Sequence, residues 1–507
     1  MNSRRAASLK VLFLQPPSPP RLDVLRDFAG GFGTAEKCER PDFGHTGTPM
    51  PYMPFLYAAG RVRETGFEVA FLDGQALHLD KQETLSRVQA VMPDIVAISL
   101  SLPSLEEDLE FAIAIRGLLP DCRIIAGGTV AKVLTEKILR SSAIDFAVVG
   151  FEEETIPKVV DMIAGADTGP VEGTAALENG RLTKTVCGQP PDLNNLSLPP
   201  YDLLPLDGYR SWEFPLEKSF LGVNFGRQRR YFPLFLSRGC SFACGYCPYP
   251  LGFGDRVRVR SEVSALAEIE HLYNNHGIDA FIFRDQNFTL SRKRVERLCR
   301  SIATSRMSIM WSCETRVDLV DKQLLKVMRN AGCRRIFFGV ETGDKEVFQQ
   351  SGKPGVHYEQ IKLAFKLCRR YGITPCAHVM VGIPGESGDS ARITEQLLRR
   401  IGASQGNCSV ATPYPGTEFY QQMLAEDNIK ATRWSEFTGN DPVMDLPDQS
   451  MAQIREAKEY LRAYFRTQER NSLRKRFGSL IKPSLRRIRQ TIFERRDSAV
   501  KTGVIGE

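Results

Sequence analysis

Twice along its 507 residues the chain alternates short apolar runs with amphipathic stretches of helical length, and this restricts its architecture more than any other feature. In the first series the runs are Val11–Leu14, Glu68–Leu72, Asp94–Leu100, Arg123–Ala126 and Asp145–Val149. Between them lie stretches such as Phe55–Thr65, Leu105–Leu119 and Val133–Ser141. Alternating βα units of this size predict an α/β fold, a parallel sheet with helices on both faces. Short strands that are apolar throughout fit a doubly wound sheet buried on both sides. Ligands of such sheets sit beyond the carboxyl ends of the strands. The turns there are small: Ser99-Leu100-Ser101, Gly127-Gly128-Thr129 and Gly150. Gly127 and Gly128 either let backbone approach a bulky ligand or simply make tight βα turns.

The second series begins near Phe232. Its expected strands are Phe232–Ser237, Ala280–Phe283, Ile309–Thr315, Arg335–Val340, Pro375–Val381 and Ser409–Thr412. Six βα repeats predict a partial barrel whose site gathers at the carboxyl ends of its strands. Pro190-Pro191 and Leu198-Pro199-Pro200-Tyr201 mark a linker between the series. The expected boundaries are a front domain at 8–185, a linker at 186–230, a barrel at 231–425 and a helical extension at 426–507.

Composition excludes several classes. At 42% hydrophobic and 25% charged residues, the chain can bury a large core, so disorder is not its dominant state. No run approaches the roughly 18 apolar residues of a membrane span. The apolar stretch at the start, Val11 to Leu14, is too short for a secretory signal, so a cytoplasmic protein is expected. The net charge of +7 is a property of the tail: residues 451–507 hold 15 Lys/Arg and 6 Asp/Glu. There Leu473, Phe477 and Leu480 form one helical stripe, and Ile481, Leu485, Ile488 and Ile492 another. Such a basic amphipathic segment suits peripheral contact with an anionic membrane, an acidic partner or nucleic acid, or packing with a charged outer face. Nucleic acid is not the expected partner.

Twelve cysteines without an export signal do not read as a disulfide framework. Nine are scattered; Cys240, Cys244 and Cys247 cluster in Ser237-Arg238-Gly239-Cys240-Ser241-Phe242-Ala243-Cys244-Gly245-Tyr246-Cys247-Pro248. Three thiolates on one loop, spaced C-x3-C-x2-C, suit an iron–sulfur cluster and leave one iron open for chemistry. Core cysteines on one helix face are the first alternative, which Gly239, Gly245 and Pro248 oppose. Zinc is the second, and it lacks a nearby fourth ligand.

This motif, with Tyr246 just before the last cysteine, resembles the signature of the radical SAM superfamily. The resemblance implies a [4Fe-4S] cluster on Cys240, Cys244 and Cys247. It also implies S-adenosylmethionine chelated to the fourth iron, an external electron donor of the flavodoxin or ferredoxin type, and reductive cleavage to a 5′-deoxyadenosyl radical. Later strand ends are similar to the family's remaining elements. In Arg284-Asp285-Gln286-Asn287-Phe288, Asp285 would contact the amino group of S-adenosylmethionine. In Glu314-Thr315-Arg316-Val317-Asp318, Arg316 would take its carboxylate and Glu314 its ribose. Glu341 in Gly339-Val340-Glu341-Thr342-Gly343 would also face it, and Gly382 and Gly385 in Gly382-Ile383-Pro384-Gly385-Glu386 resemble the adenine turn. Thr412-Pro413-Tyr414-Pro415-Gly416-Thr417 resembles the end of the sixth strand.

The front domain resembles the Rossmann-like cobalamin-binding domain of one branch of that superfamily, through Gln15-Pro16-Pro17, Leu72-Asp73, Ser99, Ser101, Gly127, Gly128 and Gly150-Phe151-Glu152-Glu153. This implies a cobalamin, with Glu152 among its neighbours. The D-x-H-x-x-G signature of a cobalt-ligating histidine is absent. His45 occupies the corresponding loop with other spacing, so cobalamin without a histidine ligand is expected; a scaffold that has lost the cofactor is the alternative. The activity this implies is methylation of an unactivated carbon of a small-molecule or lipid substrate. Cyclisation or rearrangement of a hydrophobic, isoprenoid or tetrapyrrole-like molecule is the second expectation. A non-catalytic iron–sulfur or nucleic-acid-binding module is the third.

Overall fold

The computed structural model describes residues 9–37, 49–141, 143–166, 169–211, 229–242, 244–350, 356–471. His45 and the basic stripes beyond 471 lie outside them. Among the described residues no helix is long and apolar enough to cross a membrane.

The front sheet contains β1 (Lys10–Gln15), β2 (Glu68–Asp73), β3 (Ile95–Ser99), β4 (Arg123–Gly127), β5 (Phe146–Val148), β6 (Thr174–Glu178) and β7 (Arg181–Lys184). Its order is β2-β1-β3-β4-β5-β6-β7; the first five strands run parallel, and β6 and β7 are antiparallel. Alternate residues feed two separate cores, as a sheet covered on both faces requires. Leu12, Leu14, Val96, Ile98, Ile124 and Ala126 pack on one face, and Val11, Phe13, Ile95, Ala97 and Ile125 on the other. A short hairpin, Leu22–Leu25 with Thr34–Lys37, follows β1 at the carboxyl end of the sheet.

The second sheet contains β8 (Arg229–Leu234), β9 (Ala280–Phe283), β10 (Met310–Thr315), β11 (Cys333–Glu341), β12 (Thr374–Val381) and β13 (Gly406–Val410). These strands pair in parallel and in chain order, the topology of a partial (β/α)6 barrel, and Arg210–Ser211 adds an antiparallel edge. Phe281, Phe283, Trp311, Cys313, Ile336, Phe338, Ala377 and Val379 point outward into the helix layer. Helices begin where the sequence supplies caps: Ser261 accepts the Ser264 N–H, and Asp321 accepts those of Gln323 and Leu324.

The two domains share one core. The helix Met53–Glu64 is buried nearly all round. Its Phe55, Ala58, Ala59 and Val62 face the front sheet, whereas Met53, Leu56 and Tyr57 pack with Phe232, Phe235 and Ile269 of the barrel. The expected linker is a packed strap within 192–211. Tyr201 and Tyr209 are buried there, bonding Glu268 of the barrel and Asp73 of β2 respectively.

Candidate active site at the junction of the two domains

Ser237–Arg238 pairs antiparallel with Arg258–Val259, and this clamp closes the cysteine loop. Gly239 turns with φ +84°, where a Cβ would stand 2.1 Å from the Arg256 carbonyl oxygen; only glycine fits. The Cys240 N–H donates to Gly254 O (3.1 Å) and the Cys247 N–H to Cys244 O (2.9 Å). All three thiols are half-buried. Burial, followed by the neighbouring Cys244 and Cys240, pushes the Cys247 thiol up to about 12. Burial also raises Cys240, against the Phe242 N–H and the Arg316 guanidinium. Three cysteines on one short loop are the donor set an iron–sulfur cluster would use, and a bound metal would take them as thiolates despite their burial. Among the described residues no three His, Cys, Asp or Glu side chains are grouped closely enough to hold a metal ion.

Tyr246 ties the loop to the strand ends. Burial raises its hydroxyl well above the usual range, followed by Glu341, Cys244 and Cys247, with Arg316 opposing. Glu341, Arg316, Cys244 and Cys247 therefore all lie near Tyr246. Glu341 is buried at a register shift in β11 and holds φ +61°, a conformation non-glycine residues seldom keep without a functional constraint. Arg316 lies 4.0 Å over the Phe242 ring and makes two bonds to Asp318, 3.0 and 2.9 Å, which hold its guanidinium in place. Glu314 accepts from Arg284 (2.5 Å) and from Gln286. At the end of β12, Gly382 (φ +76°) and Gly385 (φ +88°) form the expected turn, and Glu386 holds it by accepting the Gly382 (2.7 Å) and Ile383 (3.3 Å) N–H groups.

Asp285 lies against the stem of the cysteine loop. It is fully buried under the loop, where it accepts the Leu236 N–H (3.0 Å) and the Ser237 hydroxyl (2.5 Å), with Arg294 at 3.5 Å. Both oxygens accept hydrogen bonds from the stem of the cysteine loop.

The front-domain candidates also take structural duties. A Cβ on Gly127 would meet Phe55 at 2.4 Å, and one on Gly128 (φ +104°) the Leu100 carbonyl at 2.6 Å. A Cβ on Gly150 would stand 2.9 Å from Gly173. These glycines therefore admit the protein's own packing. Glu152 is buried, accepts Tyr52 and the Gly128 N–H (each 3.1 Å), and pairs with Lys132 at 3.4 Å. The Ser99 carbonyl accepts from Arg26, whose guanidinium grips Asp108 at 2.7 and 2.8 Å. Ser101 is different: its hydroxyl is buried and has no hydrogen-bond partner among the described residues.

Asp27 Oδ1 and the Tyr249 hydroxyl are likewise buried without a hydrogen-bond partner among the described residues. A polar-edged ligand such as a corrin bearing amides would satisfy them. Here the front domain touches the cysteine loop directly. Gly30 O accepts from Thr129 (2.6 Å), and a Cβ on Gly30 would sit 2.6 Å from Tyr249 Cα. Lys132 donates to Gly252 O (2.9 Å). Arg238, two residues before Cys240, pairs with Glu153 of the front domain, each 2% exposed. Arg284 lies 4.0 Å over the Phe28 ring and 3.5 Å from Asp27 while holding Glu314. The sequence reading missed Asp27, Phe28 and Tyr249. Buried polar residues flanking a glycine run, Ala29-Gly30-Gly31, were the only signal.

Comparison with known proteins agrees with this geometry. The radical SAM superfamily model matches residues 234–398, and the B12 binding domain model matches 40–160. An uncharacterized methyltransferase of Pyrococcus horikoshii is 28% identical over 429 residues, 83% of this chain and 89% of that one. An anaerobic magnesium-protoporphyrin IX monomethyl ester cyclase of Rubrivivax gelatinosus is 25% identical over 402 residues, 76% of this chain and 68% of that one. Among solved structures, the radical S-adenosylmethionine methyltransferase TsrM of Kitasatospora setae, with tryptophan and a SAM analogue, superposes with TM-score 0.65. It is 18% identical, over 90% of this chain and 89% of that one, which is likeness of fold. The cofactors of the two matched domains are a [4Fe-4S] cluster with S-adenosylmethionine, and cobalamin. The chain belongs to the radical SAM superfamily and is an enzyme of its branch with a B12 binding domain in front of the barrel.

Proposed function

We propose that this enzyme transfers a methyl group to an unactivated carbon of a small hydrophobic or natural-product-like molecule. The contact between the Gly30 turn and Tyr249 carries this reading, because it sets the carboxyl end of the front sheet against the cysteine loop. A methyl carrier and a radical generator serve one substrate only when they face the same space. When bound, the cofactors supply the methyl group and the hydrogen-abstracting radical. The chain's own residues hold the arrangement. Cys240, Cys244 and Cys247 ligate the cluster, and Arg316, Glu314 and Glu341 orient S-adenosylmethionine. Asp285 fixes the loop stem, and the shared core excludes water. An external one-electron donor of the flavodoxin or ferredoxin type completes the system.

A second outcome, ring closure, is favoured by the likeness to the anaerobic cyclases of Rubrivivax gelatinosus and two other organisms. Product mass separates the two. The protein is reconstituted anaerobically with iron, sulfide and cobalamin, then incubated with methyl-deuterated S-adenosylmethionine and cell extract. Methylation adds a labelled methyl to the product; cyclisation leaves it unlabelled. Cys244→Ala is expected to abolish 5′-deoxyadenosine formation, and persistent cleavage would falsify the ligand assignment.

A further inference from the structure

Outward residues of the barrel strands belong to the helix-layer core, so their neighbours face the lumen. On β10 these are Ser312 and Glu314, on β11 Arg335 and Phe337, and on β12 Cys376 and His378. Register places Ser312 beside Arg335, and Glu314 beside Phe337. Arg335 is thus one layer, about 7 Å along the strand, below the layer of Glu314. It lines a cavity of about 560 Å³ together with Phe337, Cys376 and Asn407. That volume suits a small-molecule ligand. The Phe337 and His378 rings stack above, with centroids 5.1 Å apart and planes 21° apart.

Two polar groups in this layer are unspent. The Arg335 side chain has no hydrogen bond or ion pair among the described residues. Ser312 is fully buried, and its hydroxyl has no hydrogen-bond partner among them. The other cations of the cavity are engaged: Arg462 with Glu36, Arg466 with Glu459, and Lys37 with Asp441. Glu469 also lines the cavity and is the competing acid within the chain; a guanidinium with no ion pair among the described residues, next in register to a buried hydroxyl, suits an anion with oxygen acceptors. The ring pair between it and the strand ends asks for a flat or apolar body.

We infer that Arg335, with Ser312, seats a carboxylate or phosphate of the substrate, whose apolar body lies along Phe337 and His378 toward Glu314. This rests on the barrel being the radical site proposed above and names its substrate class as an acid with an apolar or aromatic body. The probes are 2-naphthoate, 2-naphthyl phosphate and the neutral 2-naphthylmethanol, titrated calorimetrically into the reconstituted full-length protein with S-adenosylmethionine present. At least one acid should bind saturably and about tenfold or more tighter than the alcohol. Arg335→Gln, checked for iron content, should lose about tenfold or more for that acid. Arg392→Gln, which removes an exposed cation, should not. Equal affinity of acids and alcohol would overturn the site and requires no variant; so would unchanged binding in loaded Arg335→Gln. Cleavage of S-adenosylmethionine by the wild type without probe tests the radical SAM reading separately, so either can fail alone.

Discussion

Arg238 and Glu153 meet across the domain boundary beside the first cluster cysteine, and neither reaches water. A lone buried charge costs far more than a paired one. Glu153→Ala should therefore destabilise the protein by roughly 3–5 kcal/mol, read as a lower denaturant midpoint. The double change Arg238→Met with Glu153→Leu should recover most of that loss, because an apolar pair leaves no charge stranded. A single change with no effect would mean water reaches the pair. At this scale the sequence was legible where chemistry dictates residue type: C-x3-C-x2-C announces a cluster because few other tasks need three thiols on one loop. It was illegible for the bonds a carboxylate makes within the protein: Asp285 ties Leu236 and Ser237, and Glu152 ties Tyr52 and Gly128, partners that only three-dimensional neighbours reveal.

Turns at strand ends are the next scale. Burial pushes Glu386 up to about 7, against the Gly382 and Ile383 N–H groups and the Thr342 hydroxyl. The folded protein thus keeps a proton there that the unfolded chain releases near its ordinary value of 4.5. This contribution to stability is full below about pH 4.5 and is lost as pH rises to about 7. Glu386→Gln still accepts both N–H groups but cannot titrate. Its melting temperature should fall less steeply than the wild type's between about pH 5 and 7, and parallel curves would refute the assignment. Burial raises Asp27 in the same sense, also to about 7, so some slope should remain. Elements rich in apolar residues were read from sequence within a few positions, as for Ala280–Phe283. The sixth barrel strand was expected at Ser409–Thr412 and lies at Gly406–Val410, because Gly406 and Asn407 carry no strand preference and are paired by β12 alone. The Leu22–Lys37 hairpin escaped for a related reason: its strands are four residues each and mixed in polarity.

At the scale of the molecule, the Pro-rich segment expected to separate two domains instead packs Tyr201 and Tyr209 into their common interior. Composition reports chain stiffness, not what the chain lies against. Two domains joined this way should unfold together. Far-UV circular dichroism and the fluorescence of barrel residue Trp311, isolated by Trp212→Phe and Trp434→Phe, are expected to give coincident urea transitions, and two separated steps would show the domains to be independent.

The helix Met53–Glu64 belongs to both cores, and that bears on synthesis. It leaves the ribosome with Met53, Leu56 and Tyr57 facing partners encoded nearly two hundred residues later. Until Phe232 and Ile269 arrive, the nascent front half holds a greasy flank without its native cover. The order of translation thus makes the cofactor-carrying half depend on the half that follows it.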